Sequence, residues 1–296
     1  MMSVVDPSPT TVEELLAQHD ALLLDAYGVL VDGAGALPEA APLIAELHRR
    51  GTPYAIVTND ASRTPATYVR RFATMGLAIP AERIVTSGSL LPGYFRERGL
   101  GGARTIVLGT EDSYRYVIQG GGEPVALAPG VEIDAVAICD DAGTPFLDGI
   151  ELALSAIVRA VEAGRRPALV LPNPDLIYPK GGGELGFTAG AMALLIEAAL
   201  ARKFPAESLM FDRLGKPAPH LFAEGKRVLG AKNPVMIGDQ LETDVAGACA
   251  AGIAVALYAG ISRWNPTSTI RPTYLLERLA FQDQLGLSGP RTRGPA

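Results

Sequence analysis

Short apolar runs alternate along this chain with longer stretches of helical periodicity, and that alternation limits the folds open to it. The runs are Leu22–Asp25, Tyr54–Thr58, Thr105–Leu108, Ala135–Cys139, Ala168–Leu171, Val235–Gly238 and Ala254–Leu257. They are compact and mostly bounded by Gly, Asp or Asn, as strands covered on both faces are. Between them, Pro38–Arg50, Pro65–Met75, Gly149–Ala163, Phe187–Arg202, Pro219–Leu229 and Glu242–Ala251 carry apolar residues at helical spacing. Pro38, Pro65 and Pro219 sit where a first helical turn tolerates proline. The pattern predicts an α/β fold: a doubly wound, Rossmann-like parallel sheet with helices on both faces.

Composition narrows the function classes. The chain has 296 residues, room for one large domain or two modest ones. A net charge of −6 with no basic run argues against nucleic-acid binding, which depends on cations that release phosphate counterions. Small anionic substrates stay open, because a few cations and a metal can dominate one pocket. Cys139 and Cys249 are the only cysteines and lie in no metal-type spacing, so both read as buried small hydrophobes. The opening MMSVVDPSPTTVEELL has no basic region followed by an apolar core, and no apolar run reaches the length of a membrane span. A soluble, cytoplasmic protein without membrane contact is the expectation. The glycine-rich stretches Gly99–Ala103, Gly120–Glu123 and Gly181–Gly183 match no phosphate-cradling motif and read as loops. The tail Ser288–Ala296 has the composition of a disordered segment.

Four segments at or just after strand ends carry the chemistry, and strand ends are where ligands bind in open α/β sheets. In LLLDAYGVLVDG, residues 22–33, Asp25 closes an apolar run and Gly28 lets the backbone turn closely over a bound group. In AIVTND, residues 55–60, Thr58 and Asn59 offer a hydroxyl and backbone N–H groups to an anion. In LGKPAP, residues 214–219, Lys216 enters a helix through two prolines, a place from which it can point into a cleft. In VMIGDQLETDV, residues 235–245, Asp239 and Asp244 cluster without a nearby cation, for which a hard divalent ion is the natural partner. Taken singly, each has a plainer reading, as a turn or helix-cap acid or a solvated lysine.

In this order the four segments resemble the motifs of the haloacid dehalogenase superfamily. The long insert between the second and third is similar to the class II cap of its 4-nitrophenylphosphatase-like and sugar-phosphatase-like groups. PNPDLIYP (172–179) resembles the substrate loop of those caps, and GFTAGAMALLIEAAL (186–200) the helix that follows it. The resemblance spans about Leu22 to Tyr258. It implies a core from residues 1–87 and 206–296 with an α/β cap, 88–205, inserted between. It also implies a Mg²⁺-dependent phosphatase acting on a small phosphorylated metabolite. Asp25 would be nucleophile and metal ligand, with the carbonyl of Tyr27, Asp239 and Asp244 completing the metal site. Thr58, Asn59 and Lys216 would hold the phosphoryl group. Asn173, Pro174 and Asp175 would contact the leaving group from the cap. A homodimer through the cap is a further expectation.

One position departs from the pattern. Phosphatases of this superfamily carry a second aspartate two residues after the nucleophile, as general acid and base, where this chain has Tyr27. A tyrosine with a pKa near ~10 is a poor base at neutral pH. Asp32 and Asp60 are the nearest acids in sequence that could substitute. The same departure keeps two alternatives open, a 2-haloacid dehalogenase-like hydrolase or a non-catalytic phosphate-binding protein. His19, His48 and His220 are too scattered for a zinc site, and Trp264 reads as an edge-packing residue. The turn at Cys139, Asp140 and Asp141 is a second, weaker candidate for substrate contact.

Overall fold

Leu22 and Leu24 face one side of a sheet and Leu23 the other, and all three are buried. This explains why the central strands are uninterruptedly apolar: a period of two with both faces covered leaves no polar position. The computed structural model describes residues 6–181, 184–258 and 263–281. Its larger sheet has the order Ser8–Thr10, Tyr274–Leu276, Ala254–Tyr258, Pro234–Gly238, Ala21–Leu24, Tyr54–Thr58, Ile84–Thr86, with every pairing parallel. One face packs Leu22, Ile56 and Ile237 against Leu43 and Leu47 of helix Ala40–Arg50 and Phe72 of helix Pro65–Thr74. The other packs Leu23, Val57 and Met236 against Leu221 and Phe222 of helix His220–Leu229. Each such side chain contributes about 1.5–3 kcal/mol on leaving water.

A second sheet has the order Asp212–Arg213, Ala168–Leu171, Ala135–Ile138, Arg104–Leu108, Glu123–Pro124, again all parallel. Ile106, Val136 and Ile138 meet helices Phe146–Glu162 and Ala189–Lys203 on one face. Val107, Ala137 and Val170 meet Phe95, Tyr116 and Val117 on the other. An antiparallel hairpin pairs Ile177–Gly181 with Glu184–Phe187. The architecture is therefore α/β, a doubly wound core sheet with an α/β cap inserted into it. The strand Asp212–Arg213 joins the second sheet, so that sheet reaches past residue 205 along the chain. Thr110 and Ser113 donate side-chain hydrogen bonds to the carbonyls of Ser62 and Ala61, and the Tyr116 hydroxyl to that of Arg63. These bonds seat the second sheet on the loop that follows Tyr54–Thr58.

The expected strands all form, but Asp25 and Cys139 fall just beyond theirs. Strands of only two to five residues, such as Ile84–Thr86 and Tyr274–Leu276, and the helices Val12–Gln18, Leu91–Glu97 and Glu111–Gln119 add to them. Glu242–Ala251 is not one α-helix. Val245 N–H reaches back five residues to the carbonyl of Gln240, giving a wide π-helical turn over Leu241–Val245 before the α-helix Ala246–Ala250. Cys249 is exposed rather than buried, because that short helix turns Gly247 and Ala248 inward instead. Trp264 packs at the edge of the core as expected. Among the described residues no helix is long and apolar enough to cross a membrane. The tail Ser288–Ala296 lies outside the described residues.

Candidate active site

The chain runs outward from Ala21–Leu24 to Tyr54–Thr58 and Ile84–Thr86, then returns to the other side at Pro234–Gly238. The two strands flanking that reversal are neighbours, and the crevice at their C-terminal ends is where an open α/β sheet offers space to a ligand. Asp25 and Asp239 occupy those two ends, 5 % and 1 % exposed.

Lys216 lies between the acids. Its Nζ is 2.8 Å from Asp25 Oδ1 and 2.7 Å from Asp244 Oδ1, and it donates to the Val57 carbonyl at 3.3 Å. The other Asp244 oxygen, Oδ2, accepts from the N–H groups of Asp239 and Gln240, each at 3.1 Å. The π-helical turn is what folds Asp244 back to that position. Carboxylate oxygens of Asp25, Asp239 and Asp244 lie within 4.8 Å of one another. Both oxygens of Asp239 are buried without a hydrogen-bond partner among the described residues. An unpaired buried carboxylate is costly, so this one calls for a cation.

Two glycines make the approach possible. Gly28 has φ +89°, and a Cβ there would sit 2.3 Å from Asp239 Oδ2. A Cβ on Gly238 would sit 2.3 Å from Asp244 Cβ. The electrostatics agree with the geometry. Burial raises the Asp25 carboxyl above the ordinary carboxylate range, Lys216 opposing and Asp244 adding to the shift. Burial, then the charges of Asp25 and Asp244, raise Asp239 likewise. Burial works against the Lys216 charge, but Asp244 and Asp25 outweigh it and hold its proton. Three carboxylates against one ammonium leave a deficit that a divalent cation with oxygen preference fits.

Of the other expected residues, Thr58, Asn59, Asn173 and Asp175 line the same cleft. Thr58 is buried at its strand end and lines the cleft, its hydroxyl accepting from Asp60 N–H at 3.4 Å. The Asn59 side chain, also in the cleft wall, is engaged by Lys216 and Asp175. It accepts from Lys216 N–H at 2.7 Å and donates to the Lys216 carbonyl at 3.0 Å and to Asp175 Oδ1 at 2.9 Å. Asn173 Oδ1 accepts from Asp175 N–H at 3.1 Å, shaping the cap loop, while its amide donates to Thr188 Oγ1 at 3.4 Å. Asn173 and Asp175 line the cleft; Pro174 packs against Gly215 instead. Asp60 is saturated, accepting from Ser62 N–H and hydroxyl, Arg63 and the Tyr68 hydroxyl. Asp32 caps its own turn at Ala34 and Gly35. The Tyr27 hydroxyl donates across to the cap, to the Pro179 carbonyl at 3.2 Å. His19 and His48 are engaged by the hydroxyls of Tyr274 and Tyr54.

The cleft between core and cap has a volume of about 600 Å³, with Asp25, Lys216 and Asp175 in its wall. Asp140, Asp141 and Tyr178 of the 172–179 segment line it too, as do Arg63, Arg71 and Lys180, which no sequence motif marked. Arg63 precedes helix Pro65–Thr74, Arg71 lies on it and Lys180 is in the hairpin, far from both along the chain and brought to one cleft with them by the fold.

Two family models match the sequence, one described as haloacid dehalogenase-like hydrolase over residues 22–122 and one as HAD-hydrolase-like over residues 213–280. Dihydroxyacetone phosphatase from Corynebacterium glutamicum is 27% identical over 271 residues, 87% of this chain and 88% of that protein. A possible sugar phosphatase of the HAD superfamily from Cytophaga hutchinsonii superposes with a TM-score of 0.80 at 25% identity, covering 93% of this chain and 99% of the other. The glycerol phosphate phosphatase from Mycobacterium tuberculosis, solved in complex with magnesium, has a TM-score of 0.75 at 26% identity, covering 90% and 77%.

Proposed function

The chain belongs to the haloacid dehalogenase-like hydrolases, and on that premise we propose that it is a Mg²⁺-dependent phosphatase of small phosphate monoesters, sugar phosphates or similar. The observation that carries the reading is Asp239: a buried carboxylate whose two oxygens find no hydrogen-bond partner among the described residues, clustered with Asp25 and Asp244, which already share Lys216. Asp25, Asp239, Asp244 and the Tyr27 carbonyl would hold the ion, which would neutralise phosphoryl charge and so permit a carboxylate to approach an anion.

The chain's own groups supply the rest. Asp25 Oδ attacks phosphorus in line, the P–O bond to the leaving group breaks, and the phosphoryl group is left on Asp25. Lys216 Nζ and Thr58 hold equatorial oxygens, where charge concentrates during transfer. Asn59 fixes the Lys216 backbone and so keeps that ammonium in place. Water then attacks phosphorus, its proton goes to a base, and phosphate and free Asp25 are released. The cap loop brings Asn173 and Asp175 into the cleft wall, where they would meet the leaving group. Carbon attack in a metal-free dehalogenation would leave Asp239 unpaired beside an anionic substrate, a penalty that nothing in such chemistry offsets.

Phosphate release from a panel of sugar, glycerol and aryl phosphates, with Mg²⁺ and with EDTA, tests the reading. Metal-dependent release supports it. Chloride release from 2-haloacids without phosphate release from any ester overturns it.

A further inference from the structure

We propose that Asp175, carried by the cap, is the general acid and base of this site and does the work that Tyr27 cannot. The proposal rests on the phosphatase reading and names the proton carrier within it. An alkoxide leaving group needs a proton as its P–O bond breaks, and the attacking water must later lose one. Such help is worth on the order of 10²–10⁴ in rate. The Tyr27 hydroxyl has its proton committed to the Pro179 carbonyl at 3.2 Å. Asp60 has four donors on its two oxygens, and Asp32 serves its own turn.

Asp175 differs in every respect that matters. It sits in the cap loop between the strand Ala168–Leu171 and the hairpin, half-buried, in the same cleft wall as Asp25. Its backbone is pinned at both ends: its N–H donates to Asn173 Oδ1 at 3.1 Å, and its carbonyl accepts from Gly190 N–H at 3.0 Å. A Cβ on Gly190 would lie 2.5 Å from that carbonyl oxygen, so the approach is close. Asn59 orients the carboxyl through Oδ1 at 2.9 Å, and the second oxygen has no hydrogen-bond partner among the described residues. Burial raises its pKa; the Asn59 hydrogen bond and the Lys216 charge oppose this, and Asp244 adds to it. A carboxyl so placed holds a proton more readily than a solvated one, yet remains able to give it up.

The step balances. The Asp175 carboxyl proton passes to the leaving oxygen as the P–O bond breaks, giving a neutral alcohol and an Asp175 carboxylate. That carboxylate takes the proton of the water attacking the aspartyl phosphate, which restores the acid. Because Asn59 bridges Asp175 to the Lys216 backbone, the proton carrier and the phosphoryl-binding lysine are set by one amide.

The test compares wild type with Asp175→Asn in Mg²⁺, on glycerol 3-phosphate and on 4-nitrophenyl phosphate, whose leaving group departs without protonation. Asparagine can keep the hydrogen bond from Asn59. We expect kcat/KM, which reports only the steps through formation of the aspartyl phosphate, to fall about 10²-fold or more on the alkyl ester, and at least about tenfold less on the aryl ester. The wild-type pH limb belonging to the acid should vanish from the alkyl profile. An equal loss on both esters is what a merely structural residue or a misfolded variant gives, and overturns the proposal, as does no loss on either. Along a series of aryl phosphates, the variant's rates should depend more steeply on leaving-group acidity than wild type's; equal slopes overturn it too. No phosphate from either ester with wild type overturns the phosphatase reading and this proposal with it.

Discussion

The side chain of Asn59 closes both backbone groups of Lys216, accepting from its N–H at 2.7 Å and donating to its carbonyl at 3.0 Å. The end of one core strand thus fixes the loop that delivers the buried ammonium to Asp25 and Asp244. Asn59→Ala removes the partner of both buried groups. We expect a loss of about 1–3 kcal/mol in stability, measured by urea unfolding. A fall in kcat should accompany it, because Lys216 and Asp175 both lose their reference point.

Asp239 gives an opposite sign in the absence of metal. Its carboxylate is buried and unpartnered, and burial with the neighbouring acids raises its pKa. Asp239→Asn removes that charge, so the variant should melt higher than wild type in EDTA. Mg²⁺ should raise the wild-type Tm, since it binds only the folded state, and leave the variant's Tm unchanged. Thermal melts of both proteins with and without Mg²⁺ check both halves.

Asp140 supplies a pH dependence away from the metal site. Burial raises its carboxyl to about 6 from an ordinary 3.8, with Ala142 N–H and Arg63 opposing and Asp60 and Asp141 adding. A folded pKa above the unfolded one means that the native state binds the extra proton. The contribution of this group to stability is therefore full below pH 3.8 and is lost as pH rises through about 6. Asp140→Asn should abolish that component, so the stability difference between variant and wild type should grow from pH 4 to pH 7. Urea melts across that range read it directly.

Much of the fold is legible in the sequence because the central strands are buried on both faces. Leu22, Leu23 and Leu24 could be read as one run only because the sheet leaves none of them wet. The candidate acids were legible for a related reason. Asp25 and Asp239 each follow such a run directly, so strand ends could be located and their chemistry compared. What the sequence hid depends on contacts between distant segments. The side-chain role of Asn59 is one such case, since only the fold brings Lys216 and Asp175 against its amide. Arg63 and Arg71 share a cleft with the distant Lys180 only in the folded chain. The π-helical turn at Leu241–Val245 has no local signature either; it is seen only in the folded chain, where Val245 N–H donates to the Gln240 carbonyl and Asp244 Oδ2 accepts from the N–H groups of Asp239 and Gln240.

The covalent role of Asp25 is the point on which the rest depends. The most direct measurement is to quench the Mg²⁺-loaded enzyme with acid during turnover and to weigh the peptide containing Asp25. One phosphoryl group on that residue is expected, absent in EDTA, and Asp25→Asn should fold normally yet neither carry the group nor release phosphate. An unmodified Asp25 in an enzyme that is turning over, together with near-wild-type release by Asp25→Asn, would contradict it.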